Sequence, residues 1–232
     1  GTVATDYIAT TTVAVSEGPV ANLPRLDYSG GATCPALLLE PSRTNAIPQS
    51  EYFGGWSITN VAVNSNADDS PEGRTNATKV VPNTSNGEHF IDKSGFNRTA
   101  GEYISHTVYA KADGYDYLYI SNAASRLYGV YNLSNGSVKY VNSNGVDFTN
   151  HSASVESIGN GWYRCTLTGE ALVSVATYMR LSCAPVGVNS QGYSFAGDGA
   201  SGVLIYGAQV ETNSSYATSY IPTSGATSTR LQ

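Results

Sequence analysis

Charge is the first thing this sequence is short of. Lysine and arginine number 12 and aspartate and glutamate 18 among 232 residues, a formal net charge of −6, with a pI near 4.9. No basic stripe is available to a phosphate backbone, which argues against a nucleic-acid partner. Cysteine is equally scarce. Cys34, Cys165 and Cys183 are an odd three, so at most one intramolecular bridge can form and no disulfide scaffold holds the fold. Cys165 and Cys183 both sit in apolar strand-like runs and could pair, although thiols at such positions more commonly stay free. No Cys/His cluster offers a zinc site.

Long apolar runs are missing too, so no membrane insertion is expected. No signal peptide is recognisable, and a chain that opens on Gly1 reads as a piece, or a processed product, of something longer. Catalytic signatures are absent as well: there is no G-x-S-x-G elbow, no H-E-x-x-H and no phosphate loop. His89, His106 and His151 lie far apart in the sequence. His106 falls mid-strand on the face of Ile104 and Val108, where an inward, hydrogen-bonded histidine is expected rather than a base. A glycosidase would need two carboxylates about 5–10 Å apart; Glu102 with Asp116 is the pair to consider, and nothing in the pattern favours it. The sequence reads as non-enzymatic, with a weak glycoside hydrolase as the alternative.

What is plentiful is Gly, Ser, Thr, Asn, Val and Tyr, with a single Met, a composition of strands and turns rather than helices. Strand-like runs recur from about residue 45. The clearest are Tyr103–Ala110, Tyr115–Ile120, Leu127–Tyr131, Ser137–Val141, Gly161–Leu167, Tyr178–Leu181 and Gly202–Tyr206. Turn chemistry separates them at Asp113-Gly114, Asn135-Gly136, Asn144-Gly145, Asn160-Gly161 and Gly197-Asp198-Gly199, and Asn135-Gly136 is the strongest hairpin signal. The expected fold is all-β, a two-sheet antiparallel jelly-roll β-sandwich with an extended N-terminal segment.

Three regions follow. Residues 1–36, rich in Pro and Gly, read as a linker or strap and as the end of an upstream module; 37–225 form the sandwich; 226–232 are a C-terminal tail. Leu37-Leu38-Leu39 reads as a short buried strand. The ends echo each other, since Ala4–Thr10 matches Ala217–Thr223 at five of seven positions, as if each copy closed a module.

Candidate binding residues come from the tyrosines. Tyr115, Tyr117 and Tyr119 alternate at period two and should project from one sheet face, with Tyr128, Tyr131 and Tyr140 from the next strands joining them. A phenol offers a flat apolar face to a sugar's C–H surface and a hydroxyl to its rim; the same rings would serve equally as one packed face of a core. Trp56, after Gly54-Gly55, is a further candidate. Asp68, Asp69 and Asp198 lie beside turn residues and are candidate ligands of a structural calcium ion, which takes loop oxygens, although ordinary Asx-turns use aspartate in the same way. An uncharged, hydroxyl-rich partner such as an extracellular or cell-surface polysaccharide suits this surface.

Several segments together resemble a module of bacteriophage tail and tail-fibre proteins. They are Pro24–Tyr28, Cys34–Asn45, Ser50–Trp56, Val108–Ala112 with Tyr117–Tyr119, Tyr131–Gly136, Gly159–Cys165, Gly202–Glu211 and Thr218–Thr223. The likeness runs through nearly the whole chain in order. It implies a jelly roll like that of carbohydrate-binding modules, a location on a virion tail or outside the cell, contact with host glycans, and a homotrimeric fibre. It also leaves room for a structural fibre domain, or for a binding module appended to a polysaccharide-degrading enzyme. No ligand-contact pattern carries over from it. Arg43, within the Leu37–Asn45 stretch, is expected to pair with a carboxylate.

Overall fold

The computed structural model describes residues 26–27, 36–37, 40–123, 126–190 and 193–231; Cys34, Leu38, Leu39 and the Ala4–Thr10 repeat lie outside them. Among the described residues eighteen strands follow in chain order: β1 (Leu26–Asp27), β2 (Ala36–Leu37), β3 (Arg43–Asn45), β4 (Ser57–Thr59), β5 (Val61–Asp68), β6 (Ala77–Pro82), β7 (Asn86–Gly87), β8 (Phe90–Arg98), β9 (Tyr103–Asp113), β10 (Tyr117–Asn122), β11 (Leu127–Asn132), β12 (Ser137–Ser143), β13 (Phe148–Gly159), β14 (Trp162–Ala171), β15 (Val175–Ala184), β16 (Phe195–Ala196), β17 (Gly202–Thr212) and β18 (Ser228–Arg230). A single 3-10 turn at Phe53–Gly55 is the one helical element among the described residues.

Twelve of these strands make two six-stranded antiparallel sheets. Sheet one runs β12-β11-β10-β15-β8-β4 and sheet two runs β13-β14-β9-β17-β6-β5. The chain crosses between the sheets at β4–β5, on the way from β6 to β8, at β8–β9, β9–β10, β12–β13 and β14–β15, and again on the way to β17. This is the expected all-β jelly-roll sandwich. All seven of the clearest strand-like runs are strands, with boundaries moved by a few residues, and Asn135-Gly136 does close the β11–β12 hairpin. Gly136 has φ 65°, and a Cβ there would collide with the Tyr163 ring, so the turn takes glycine for two separate reasons.

Alternation along the strands fills the space between the sheets. Leu118 and Ile120, Leu127 and Tyr131, Met179 and Leu181 from sheet one meet Ile104 and Val108, Cys165 and Leu167, Val203 and Ile205 from sheet two. β17 breaks the alternation once. A bulge between Tyr206 and Gln209, with Gly207 at φ 63°, resets the parity so that Ala208 and Val210 also point inward. Cys165 and Cys183 are free and buried; burial pushes the Cys165 thiol up, and the Cys183 thiol to about 12, so neither is a ready nucleophile.

Within the tail expected at 226–232, Ser228–Arg230 is instead a paired strand. β18 pairs with β3, the Thr44 and Thr229 hydroxyls meet at 2.7 Å, and Arg230 lies 3.4 Å from Glu40. Arg43 departs from expectation too. Its donors go to Ser214 Oγ at 3.2 Å and to the Ser42 carbonyl at 3.1 Å, and it is Arg230 that takes the carboxylate. One pair of short strands lies in the N-terminal region, where β1 and β2 are antiparallel.

The segment from Ser214 to Thr223 crosses the outer face of sheet two and is tied down by polar side chains of β3, β14 and β17. Asn45 donates to the carbonyls of Ala208 and Ile221 and accepts from Val210 N–H. Gln209 Oε1 accepts from Ile221 N–H at 2.7 Å. Glu211 accepts from the Thr218 N–H at 2.9 Å and hydroxyl at 2.5 Å. Arg164 donates to the Thr218 carbonyl. These polar side chains thus satisfy the backbone of an irregular strap, as buried amides require.

Candidate functional site

The outer face of sheet one is where the tyrosines gather. Strand register sets side chains of adjacent strands into rows. One row reads Tyr140, Val130, Tyr119, Ser182, Phe90 and Thr59 across the whole sheet. The next reads Asn142, Tyr128, Ser121, Arg180, Asp92 and Ser57. Tyr117 lies beside the first row, opposite Asn132.

Of the seven residues that sequence reasoning put on a binding platform, four share this face. Tyr117 and Tyr140 are half-buried, and the Lys139 ammonium stands 5.2 Å and 5.9 Å from their ring centres, a cation–π arrangement that fixes both rings. Tyr119 and Tyr128 are more enclosed. The Tyr119 hydroxyl donates to Val186 O at 2.8 Å and accepts from Val188 N–H at 2.9 Å. The Tyr128 hydroxyl donates to Asn189 Oδ1 at 3.1 Å. The segment after β15 therefore covers the middle of the face, and burial raises the Tyr119 phenol above its ordinary pKa.

The other three do not join. Tyr131 is fully buried between the sheets, its hydroxyl donating to Thr166 O at 2.6 Å; on β11 the inward set is Leu127, Gly129 and Tyr131, the opposite parity to Tyr128. Tyr115 precedes β10 and escapes its alternation. Gly114 turns the chain at φ 100°, so the ring enters the core, edge-on to Phe195 at 5.7 Å, and its oxygen accepts from Asp198 N–H. Trp56 follows the 3-10 turn and packs against Phe53 at 5.1 Å, only 4% exposed. A buried ring cannot stack on a ligand, so these three are core residues.

Sequence reasoning missed the half of this face that lies on β15 and β8. The Arg180 guanidinium sits 3.4 Å from the Phe90 ring centre and 5.7 Å from that of Tyr178. It donates to both oxygens of Asp92 at 2.8 and 3.1 Å and lies 3.4 Å from Glu88. Glu88, Phe90, Arg180, Ser182 and Tyr193 line a small depression beside it. The signal available in the sequence was the alternation Tyr178-x-Arg180-x-Ser182 along a strand whose other residues, Met179, Leu181 and Cys183, are apolar. Next to this depression His89 is bonded to the carbonyls of Asn60 at 2.7 Å and Phe195 at 2.9 Å.

The aspartates named for calcium are placed as follows. Asp68 pairs with Lys111 at 2.9 Å, whose hydrogen bond lowers its pKa. Asp69 accepts from the Thr75 hydroxyl at 2.7 Å. Asp198 accepts from Ala200 N–H, Ser201 N–H and the Ser201 hydroxyl, which bring its carboxyl to about 2. Asp68 pairs with Ala77 at one end of β6, whereas Gly197, next to Asp198, bonds to Asn83 beyond the other end. The three are not brought together, and no group of three or more His, Cys, Asp or Glu that could hold a metal ion occurs among the described residues. Glu102 and Asp116 flank opposite ends of β9, an 11-residue strand. At about 3.3 Å per residue they are far too distant to act as a glycosidase pair.

No protein-family model matches the chain, and no curated protein matches it. Among solved structures it is similar to the CBM22-1–GH10 modules of the Clostridium thermocellum N-terminal endo-1,4-β-D-xylanase 10B complexed with xylohexaose. The TM-score is 0.39 and the identity 12%, over 77% of this chain and 30% of that chain. A likeness this distant carries no argument about function.

Proposed function

We propose that this chain is a non-catalytic carbohydrate-binding module whose ligand lies on the outer face of sheet one. The observation that carries the proposal is the set of half-buried rings of Tyr117, Tyr140, Tyr178 and Phe90 on one sheet face, on either side of the covering segment, with Arg180, Asp92 and Asn142 among them. Aromatic faces take the C–H side of a pyranose, and the charged and amide groups between them take its hydroxyls. Tyr119 and Tyr128 have the different task of holding the covering segment in place, which keeps the face rigid before a ligand arrives. The ordered motifs shared with phage tail and tail-fibre modules favour a receptor-recognition role on a virion, toward a cell-surface polysaccharide.

The test is an affinity measurement on a panel of bacterial-surface and algal polysaccharides. Tyr117→Ala combined with Tyr140→Ala removes two of the half-buried rings while leaving the core between the sheets intact. Affinity should fall roughly tenfold to a hundredfold, with an unchanged circular dichroism spectrum and melting temperature. Binding that survives this double substitution unaltered refutes the assignment of the face.

A further inference from the structure

The outer face of sheet two carries a groove that the reading above does not use. It has a volume of about 280 Å³ and lies between β13, β14 and the Ser215–Ala217 stretch of the strap. Its floor is a ladder of side chains in register: Ser152 opposite Thr168, Ser154 opposite Thr166, and Glu156 opposite Arg164. Two rungs of paired hydroxyls therefore end on one rung that holds a carboxylate and a guanidinium. Ser152, Ser154 and Thr166 can each both donate and accept, Thr168 already donates to Ser105 Oγ at 3.2 Å, the carboxylate only accepts and the guanidinium only donates. That mixture matches the hydroxyls of a sugar and leaves little net charge to select an ion.

Two further observations single the groove out from an ordinary polar sheet surface. Tyr216 forms its wall with 52% of its surface exposed, and its backbone is anchored. The Ser214 hydroxyl donates to the Tyr216 carbonyl at 2.6 Å, and the Arg43 guanidinium stands 5.9 Å from the ring centre. An exposed aromatic face beside hydroxyl rungs is a stacking platform for a sugar. Second, the floor has unused polar capacity. Arg164 places one Nη on Thr218 O, its Nε is buried without a hydrogen-bond partner, and no carboxylate lies in ion-pair range among the described residues.

We infer that this groove is a second saccharide site, for one or two rings of an uncharged sugar, on the opposite side of the sandwich from the tyrosine face. Its volume sits near the lower limit of small-molecule sites, roughly 300 Å³, which suits a short unit rather than a long chain. Ligands held on both outer faces would let one module bridge two glycan chains, or two positions of one branched chain, with the gain in avidity that bivalency brings.

The test is an NMR titration of the intact chain with lactose, maltose and cellobiose, and separately with glucuronate. At least one neutral disaccharide should shift the amides of Ser152–Glu156, Arg164–Thr168 and Ser215–Ala217 saturably. Ser154→Trp, at an exposed position that fills the groove, and Tyr216→Ala should each weaken that response roughly tenfold or more. The Tyr117→Ala/Tyr140→Ala chain should retain it, which separates this site from the tyrosine face. No response from any neutral disaccharide, a response to glucuronate alone, or shifts untouched by both groove substitutions would each overturn the inference.

Discussion

His106 shows what single residues contribute. It is fully buried, accepts a hydrogen bond from Asn122 Nδ2 at 2.9 Å, and burial lowers its pKa from 6.5 to about 4. The unfolded chain takes up a proton at this histidine as the pH falls through 6.5, whereas the folded chain does not until about 4. Stability from this group is therefore complete above pH 6.5 and lost between 6.5 and 4, by about 3 kcal/mol. Denaturant midpoints measured across that window should fall steeply, and His106→Gln should flatten the fall; an equal slope in the variant contradicts the assignment. Tyr131 makes the complementary point. Tyr131→Phe leaves the Thr166 carbonyl short of one donor in a dry core and should cost about 1–2 kcal/mol, read from the urea midpoint, with no effect on glycan affinity. The inward place of His106 was legible from Ile104 and Val108 on either side of it. Tyr131 was not, because Leu127 and Tyr131 on one face and Tyr128 and Val130 on the other are equally apolar. Parity alone could not tell core from surface there.

At the scale of elements, hydrophobic alternation and Asn-Gly turns located the strands well, since both act within a few residues. They did not reveal the bulge at Gly207, which resets β17, nor the start of β10 after Tyr115, because both depend on pairing with distant strands. The strap at 214–223 is the clearest case of long-range logic. Its sequence, Thr218-Ser219-Tyr220-Ile221-Pro222-Thr223, stood out as a motif, but its role emerges only when Asn45, Arg164, Gln209 and Glu211 are seen to satisfy it. Glu211 is fully buried and accepts from Thr218 twice and from Gln209 once. Glu211→Ala should lower stability by roughly 2–4 kcal/mol through those unpaired donors. It should also open a protease-sensitive site between 213 and 224 before the sheets unfold. Digestion at the wild-type rate would show that the strap is held by other contacts.

For the molecule as a whole, the two sheets give two outer faces of different chemistry. Sheet one offers half-buried rings around an arginine–carboxylate cluster, and sheet two offers hydroxyl rungs beside a strap. Composition announced a polar, low-charge surface suited to a neutral partner, and the tyrosine count pointed to stacking. Which tyrosines reach the surface depended on the fold. The β15–β8 half of the face went unnoticed because its aromatic and charged residues, Phe90, Asp92, Tyr178 and Arg180, are nearly ninety residues apart in pairs and meet only through β8–β15 pairing.

The central claim is that the outer face of sheet one binds carbohydrate. The most direct measurement is an amide chemical-shift map of the intact chain with an oligosaccharide cut from whichever polysaccharide binds it most tightly. Saturable shifts concentrated on β8, β10, β12 and β15, around Tyr117, Tyr140, Tyr178 and Arg180, are predicted. Shifts that leave those four strands untouched while the glycan binds elsewhere would contradict it.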